Sequence, residues 1–342
     1  MDNSNNLTIL IPTYKRPDTL LNLVKNIVLP VANKYKQKIE FFIRDNTGIN
    51  DIENPLDQDL ELPANVNYAV NQRNLEYHGN IKTLLQLANN KYIWFWGDDD
   101  FYDLKEVLKV IKVVLENKKN YEAFLPCFSY LSEKGFNSNI ILGSQNDEIK
   151  LNELFKKNRD PFSLLSSLIF LNKNLAIGKN ELANAWLHAI IFLRSLSPDS
   201  RLWIGHNPCI YYEAVASGNE EPEQRGITLK YYVESALQIM KYQEKYAGIK
   251  PLSKSTFHKE VVLWMIQHKG RLIYWSFTNK DMFTYGTKGI LISILNFDIK
   301  LFLLSIILLL FPRKLIRITY RIQKWLKRND YSYQRFFKTI NI

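Results

Sequence analysis

The sequence predicts an α/β fold in which a mostly parallel sheet is flanked by helices. Over the first 120 residues, short apolar stretches of strand length alternate with stretches whose apolar residues recur at helical spacing. Helical connections of this length are typical of crossovers between parallel strands. Polar residues also follow three of the predicted strands directly, and open parallel sheets bind ligands at the carboxyl ends of their strands.

The predicted elements alternate regularly in the first third of the chain. Pro17 and Asp18 suit the start of the first helix, and Asp103 with Glu106 has the spacing of a capping box. The strands are predicted at 7–12, 39–45, 65–70 and 91–96, and the helices at 16–28, 80–90 and 103–117. Further on, the pattern favours a strand at 121–132, a buried segment at 161–172 and a helix at 180–196.

Composition narrows the class of protein. The 342 residues are 46% hydrophobic, which is enough for one large domain or two modest ones. Cys127 and Cys209 are far apart and form no metal-ligand pair, so a reducing cytoplasmic setting is expected. The N-terminus has no basic stretch followed by an apolar one, so no secretory signal is expected.

The net charge of +11 is concentrated in the tail. Residues 312–342 hold nine Lys or Arg and one acid, which accounts for +8 of the total. A nucleic-acid-binding domain would carry its basic surface on the folded part of the chain. Nucleic acid is therefore not an expected partner.

The stretch "YIWFWGDDDFY" (92–102) joins a buried strand to three adjacent aspartates. Neighbouring carboxylates repel one another unless a positive charge lies among them, and Mg²⁺ or Mn²⁺ is the usual one. Asp98 and Asp100 are two residues apart and could share one ion, and Gly97 would allow a ligand to approach the backbone. The alternative is a solvated turn that caps the next helix.

Several common ligand sites are absent from the sequence. It contains no GxxxxGK[ST], no GxGxxG and no HExxH, and its five histidines show no zinc spacing. P-loop NTPases, Rossmann dehydrogenases and zinc hydrolases are therefore disfavoured. A phosphate-bearing ligand held through a metal ion remains.

Four blocks together resemble the nucleotide-sugar half of family 2 glycosyltransferases with the Rossmann-like GT-A fold. They are "ILIPTYKRPDTLL", "FFIRDNTG", "NQRNLEYHGNIKTLL" and "YIWFWGDDD", in the order and spacing that this family uses. The group that contains the O-antigen abequosyltransferase-like enzymes is the most similar, because there a glycine precedes the acidic cluster.

The resemblance implies roles for individual residues. Pro12 and Thr13 would lie against the nucleoside, Asp45 would accept a hydrogen bond from the nucleobase, and Arg73 would lie nearby. The cluster would contact the ribose and hold the metal, either through Asp98 and Asp100 or, aligned on the following helix, through Asp99 and Asp100. Alone, "DNTG" would be an ordinary Asx-turn, and Arg73 could be a surface residue.

The resemblance also implies a reaction. A metal-dependent, inverting enzyme would move a sugar from a nucleotide-sugar donor to a saccharide acceptor, linked to polyprenyl diphosphate, in O-antigen or capsule synthesis. The general base of this family is usually an acid of a Glu-Asp pair, which is missing here. His188, Glu181 and Asp199 are the candidates. His188 could instead be a core histidine, and Glu181 could serve the first turn of its helix.

Two alternatives to a transferase stay open on the sequence. A nucleotidyltransferase also uses an acidic cluster and Mg²⁺, but "IPTYKRPDT" lacks the glycines of its phosphate loop. A non-catalytic module that binds saccharide or membrane would explain the missing Glu-Asp pair. The acidic triplet weighs against such a module.

The segment 289–328 predicts attachment to an anionic membrane surface. Its apolar core, 301–311, is shorter than the ~20 residues that a spanning helix needs. Beyond Pro312, apolar and basic residues alternate at helical spacing. We expect a cytoplasmic protein attached peripherally to the inner face of the cell membrane; the alternative is a C-terminal helix buried against the domain. The predicted parts are a donor-binding half (1–120), an acceptor-binding half (121–230) and a helical C-terminal region (231–342).

Overall fold

The computed structural model of the chain divides into two compact units. The first comprises residues 1–217 and 237–250, and the second comprises 218–236 and 251–342. The residues that the structure describes are 6–51, 60–132, 135–137, 148–157, 165–173, 177–178, 181, 186–213, 229–248, 262, 287–292, 294–295 and 298–310.

In its described residues, the first unit contains a mixed sheet of ten strands. The strands are β1 (Leu7–Thr13), β2 (Ile39–Asp45), β3 (Val66–Val70), β4 (Tyr92–Phe95), β5 (Phe101–Tyr102), β6 (Ala123–Ser132), β7 (Gly135–Asn137), β8 (Glu148–Lys150), β9 (Ile169–Leu171) and β10 (Arg201–Glu213). Their order is β3-β2-β1-β4-β9-β6-β10-β5, with β7 beside β6 and β8 beside β10.

The parallel pairing predicted for the strands of the first 120 residues is confirmed. β1 pairs in parallel with β2 and with β4, and β2 pairs in parallel with β3. β9 is antiparallel to both β4 and β6, so β6 and its parallel neighbour β10 run in the same direction as β1. The carboxyl ends of β1, β2 and β4 consequently meet at one edge of the sheet, which we call the carboxyl edge.

The helices differ from the predicted ones mainly at their ends. They are α1 (Pro17–Leu23), α2 (Leu29–Lys34), α3 (Glu76–Leu87), α4 (Leu104–Glu116), α5 (Leu151–Lys157), α6 (Leu187–Arg194), α7 (Leu229–Ala247) and α8 (Ile299–Leu310). A π-helical turn, Val24–Val28, joins α1 to α2 ahead of Pro30, which has no N–H to continue the ladder. Asp103 caps α4 as predicted, because its carboxylate accepts from the N–H of Glu106 at 3.0 Å.

Apolar side chains cover both faces of the sheet. One face carries Ile9, Phe41, Trp94 and Trp96 and is covered by α1 and α4. The other carries Leu10, Ile93 and Phe170 and is covered by α3 and α6. Because β1 and β4 are buried on both faces, they read as continuous apolar runs.

The described part of the second unit contains α8. Leu291, Ile294, Leu295, Ile299 and Leu303 expose between 55% and 75% of their surface. Among the described residues, no helix combines the length and the apolar character that crossing a bilayer requires. The basic segment 312–328 lies outside the described residues.

Candidate active site

The carboxyl edge brings together the polar residues that follow β1, β2 and β4. Oγ1 of Thr13, at the end of β1, donates to Oδ2 of Asp98 at 2.6 Å. Thr13 is also paired in register with Asp45 at the end of β2, and the N–H of Asn46 donates to the Thr13 carbonyl at 2.9 Å. Three chain segments that are distant in sequence therefore form one buried polar cluster.

A guanidinium lies between two of the three aspartates. Nη1 of Arg16 is 2.9 Å from Oδ1 of Asp98 and 2.8 Å from Oδ2 of Asp99. Asp98 is buried, whereas the Asp99 side chain is 40% exposed. Both oxygens of Asp98 are thus engaged by the protein itself, one by Thr13 and one by Arg16.

Asp100 points inward and is held differently. Its Oδ2 accepts from the hydroxyl of Ser166, which also accepts from the N–H of Gly97 at 2.8 Å. The Tyr102 hydroxyl reaches both the Ser166 hydroxyl and the Gly97 carbonyl, at 3.1 and 3.2 Å. The space beside Gly97 holds the carboxyl of Asp100. The structure thus explains this glycine by a contact inside the turn, where the sequence suggested the approach of a ligand.

Burial raises the pKa values of two of the aspartates. The pKa of Asp98 rises from 3.8 to about 6 because burial outweighs the favourable charge of Arg16. The pKa of Asp100 rises to about 7, since burial and the charges of its two neighbours outweigh the hydrogen bonds from Ser166 and Tyr102. A further positive charge in the turn would therefore stabilise the ionised forms of Asp98 and Asp100.

The residues of the acidic turn fit a divalent cation that takes only part of its coordination shell from the protein. Oδ1 of Asp100 is buried and has no hydrogen-bond partner among the described residues. Asp99, its neighbour, is half exposed. Mg²⁺ is commonly held by one or two carboxylates together with phosphate oxygens and water. No group of three or more acidic, histidine or cysteine side chains in the described part of the chain could enclose a metal by itself.

Asp45 is fixed by its own turn and by β3. Its Oδ1 accepts from the N–H of Thr47 at 2.9 Å, which is the Asx-turn considered from the sequence. Its Oδ2 lies 3.3 Å from the Tyr68 hydroxyl, whose pKa is raised by burial and by the charge of Asp45. The neutral phenol can therefore donate to this carboxylate and hold it in place.

A network of asparagine side chains organises the loop that follows β3. Asn71 donates to the side chains of Asn46 and Asn80, at 3.1 and 3.0 Å, and Asn46 donates to that of Asn74 at 2.8 Å. Arg73 is exposed in this loop. Pro12 lies one residue before Thr13 in β1 and is partly buried. The structure thus places both residues at the carboxyl edge.

Of the three candidate bases, His188 lies on the same side as the cluster. It is the second residue of α6, is 3% exposed, and its Nδ1 is 3.2 Å from the Tyr77 hydroxyl. Tyr77 is the second residue of α3, which follows the asparagine loop directly. The histidine is thus linked to the carboxyl edge through a half-exposed phenol.

The other two candidates have different surroundings. Glu181 is buried, and its two oxygens lie 2.8 and 2.7 Å from Nη1 of Arg194. It also accepts from the Tyr242 hydroxyl and from the N–H of Gly178. These bonds give the carboxylate a structural role that joins α6 to α7.

Asp199 lies at the opposite edge of the sheet from the cluster. It precedes β10, which runs parallel to β6, so it is at the amino edge, opposite the cluster. Its side chain is 81% exposed and 3.7 Å from Lys150. The structure therefore does not bring Asp199 together with the cluster at the carboxyl edge.

A model of the family described as "Glycosyl transferase family 2" matches residues 8–176. This range contains every residue of the cluster at the carboxyl edge. Residues 8–176 form a family 2 glycosyltransferase domain. The predicted enzyme class and the resemblance to family 2 are therefore confirmed.

Solved structures extend the comparison to the fold. The chain superposes on S. aureus TarS 1-349 with a TM-score of 0.54 at 11% identity, covering 93% of this chain and 92% of that one. The same fragment in complex with UDP-GlcNAc gives 0.55 at 12% identity and the same coverage. S. aureus TarS gives 0.50 at 12% identity, covering 83% of this chain and 45% of that one. No curated protein matches the chain in sequence. At these identities the likeness establishes the fold, and the predicted GT-A fold is confirmed.

The glycosyltransferase domain contains candidate site residues that were not predicted from the sequence. Arg16 neutralises the acidic turn, Ser166 orients Asp100, and Tyr68 orients Asp45. Arg16 could have been found, since it follows β1 by three residues. Ser166 comes from a segment 66 residues downstream of Asp100, and no local pattern marks such a pairing.

A cavity of about 420 Å³ lies away from this cluster. It is lined by residues that include Lys82, Gln86, Asn89, Asn172 and Lys173. The C-terminal end of α3 forms one wall, and Asn90 just beyond it bonds to the Leu7 carbonyl at the start of β1. The cavity is therefore near the amino edge, and we assign no chemistry to it.

Proposed function

We propose that this glycosyltransferase transfers a sugar from a nucleotide-sugar donor to a saccharide acceptor with inversion at the anomeric carbon. The observation that carries the proposal is the cluster itself. Thr13 and Asp98 are in contact at 2.6 Å, Asp45 ends the adjacent strand, and a buried oxygen of Asp100 lacks a partner among the described residues. TarS has been solved with UDP and with UDP-GlcNAc, which supports this class of donor.

The nucleoside would lie along the ends of β1 and β2. The carboxylate of Asp45 only accepts hydrogen bonds, so it would select a nucleobase that presents an N–H group. Pro12 and Thr13 would contact the nucleoside, Asp98 the ribose, and Arg73 would lie beside them. In this proposal the donor-binding half is 1–120 and the acceptor-binding half is 121–230.

Asp99 and Asp100 would hold Mn²⁺ or Mg²⁺. Of the two registers left open by the sequence, this pair is favoured because both oxygens of Asp98 already have protein partners. When bound, the metal would stabilise the negative charge of the leaving nucleoside diphosphate. Asp98 contributes to the same turn by holding Arg16 and Thr13 in place.

His188 is the best placed of the candidate bases. In the reaction the acceptor oxygen bonds to the anomeric carbon, the bond to the diphosphate breaks, and the hydroxyl proton must leave. His188 is buried, so Tyr77 would relay the proton. Its hydroxyl would take the acceptor proton and pass its own proton to Nδ1 of His188 along the hydrogen bond, in which the oxygen and nitrogen are 3.2 Å apart. This requires the tautomer with an unprotonated Nδ1.

The acceptor is proposed to be linked to polyprenyl diphosphate at an anionic membrane surface. The +8 charge of 312–342 and the exposed apolar side chains at 291–303 support contact with lipid headgroups. The protein would then be cytoplasmic and peripheral to the inner face of the cell membrane. Assembly of O-antigen or capsule, by an enzyme like the abequosyltransferases, would use such an acceptor.

The test is release of nucleoside diphosphate from UDP-, GDP- and dTDP-sugars, with Mn²⁺ and a polyprenyl-diphosphate oligosaccharide. We expect one donor class to be consumed, with release reduced on the order of 100-fold in the double variant Asp99→Ala, Asp100→Ala. Asp18→Asn, an exposed acid of α1, is the matched control and should retain full activity. Equal release by the double variant would remove the acidic turn from the reaction.

A further inference from the structure

One nitrogen of Arg16 serves two carboxylates of the acidic turn. Nη1 is 2.9 Å from Asp98 and 2.8 Å from Asp99, and the Arg16 side chain is 32% exposed. The guanidinium therefore lies at the solvent side of the turn, where a ligand would arrive. It already provides the positive charge that the sequence led us to expect from a metal.

The backbone that places Arg16 there has an unfavourable conformation at the preceding residue. Lys15 has a φ of +53°, a left-handed conformation that is uncommon for a residue with a side chain. Its N–H donates to Oγ1 of Thr47 at 3.1 Å, so the turn after β2 holds the turn after β1. The connection between β1 and α1 is thereby fixed in the form that directs Arg16 at the aspartates.

A metal ion and this guanidinium compete for the same carboxylate. A divalent cation bound through Asp99 would lie within a few ångströms of Nη1, and like charges at that distance repel. A diphosphate removes the conflict, because guanidinium groups pair well with phosphate oxygens. Arg16 could then leave Asp99 to the metal and bind the diphosphate.

We propose that Arg16 is the resident counter-ion of the acidic turn and that it couples metal binding to nucleotide binding. In the free protein it occupies Asp99 and keeps metal affinity low. When a nucleoside diphosphate arrives, Arg16 transfers to its phosphates and Asp99 becomes available to the cation. The inference rests on the proposed function, and it assigns Arg16 as a positioning residue that orders the assembly of the site.

The test measures free Mn²⁺ by electron paramagnetic resonance in titrations of the full chain. Each titration is done alone and with saturating UDP, GDP, CDP or dTDP. For the wild type we expect one nucleotide to tighten Mn²⁺ binding at least tenfold. In Arg16→Ala, Mn²⁺ alone should bind at least tenfold more tightly than in the wild type. The tightening by nucleotide should be several-fold smaller than in the wild type, because only the phosphate ligands of the metal then contribute to it.

Two further variants make the result specific. Arg16→Gln keeps a hydrogen-bonding side chain without the charge and should behave like Arg16→Ala. If one of the two variants fails to fold, the other still provides the measurement. Lys15→Gln removes the neighbouring cation, whose Nζ lies over the Tyr14 ring at 5.3 Å, and should behave like the wild type. Unchanged affinity for Mn²⁺ alone in both neutral Arg16 variants would overturn the inference while leaving the proposed function intact. No Mn²⁺ binding by the wild type with any nucleotide would overturn both.

Discussion

A methyl group at Gly97 would lie 2.7 Å from Oδ2 of Asp100 and 3.1 Å from its Cγ. The first distance is shorter than nonbonded contacts allow and the second is tight, so Gly97→Ala must displace the carboxyl and weaken its bond to Ser166. We predict a loss of stability of about 1–3 kcal/mol and at least tenfold weaker metal-dependent nucleotide binding, measured by thermal melting and calorimetry.

Gly178→Ala is the matched control for this change. A methyl group there would meet Oε2 of Glu181 at 3.5 Å, an ordinary contact. Its nucleotide affinity should equal that of the wild type. Normal affinity in Gly97→Ala would show that the position of Asp100 does not matter for the site.

Asp100 also predicts a pH dependence of stability. Its pKa is about 7 in the folded protein against an ordinary 3.8, so the folded state takes up a proton as the pH falls between these values. The buried carboxylate therefore destabilises the fold above pH 7 and ceases to do so near pH 4. Asp100→Asn, melted in EDTA, should be more stable than the wild type by on the order of 2 kcal/mol at pH 8, and the difference should shrink at pH 5. A difference that grows toward low pH would contradict this reading.

Sequence patterns located these residues but not their partners. Thr13, Asp45 and Asp98 were predicted because each follows a strand, and strand ends share an edge. Arg16, Ser166 and Tyr68 were missed because their contacts depend on which segments become neighbours in the folded sheet. Side-chain partners of this kind are set by tertiary structure.

At the scale of the elements, Glu181 and Arg194 tie α6 to its surroundings. Their side chains are only 10% and 19% exposed, and breaking a buried ion pair costs about 3–5 kcal/mol. We predict that Glu181→Gln lowers stability by about 3 kcal/mol while the folded enzyme keeps its turnover rate. Urea unfolding and nucleotide release measure the two quantities.

Asp199→Asn is the surface control for the ion pair. Its carboxylate is 81% exposed, so the stability should change by less than about 0.5 kcal/mol and activity should be unchanged. A large loss of turnover in Glu181→Gln without a loss of stability would instead identify Glu181 as the base.

A strand or helix could be predicted from the sequence when residues within that segment mark it. The strands β1 to β4 and the helices α1, α3 and α4 were predicted because periodicity and capping residues mark them, whereas α2 and the two-residue strand β5 were not. β10 was not predicted, since Gly205 and Pro208 interrupt its apolar pattern; both fall where its register against β6 shifts. α6 begins later than predicted, and 182–185 lie outside the described residues.

At the scale of the whole molecule, the charge of the tail predicts lipid binding. Each Lys or Arg near an anionic surface contributes about 1 kcal/mol. Replacing Arg317, Arg321, Lys324 and Arg328 by Gln in the full chain should therefore weaken binding to phosphatidylglycerol vesicles on the order of a thousandfold. Vesicle flotation measures this.

The control replaces Lys25, Lys36, Lys38 and Lys105, which are exposed in the first unit, by Gln. This variant loses the same net charge and should keep its binding, and neither protein should bind phosphatidylcholine vesicles strongly. Equal losses in both variants would show that net charge alone, rather than the tail, attracts the protein to lipid.

We propose that the cluster at the carboxyl edge binds a nucleoside diphosphate through a metal ion. The decisive experiment is calorimetric titration of the wild type with UDP, GDP, CDP and dTDP, with and without Mn²⁺. The double variant Asp99→Ala, Asp100→Ala is titrated beside it. We predict metal-dependent binding of one nucleotide by the wild type and its loss in the variant. If the wild type bound none of the four nucleotides, or the variant bound as well as the wild type, the cluster would not be the nucleotide site.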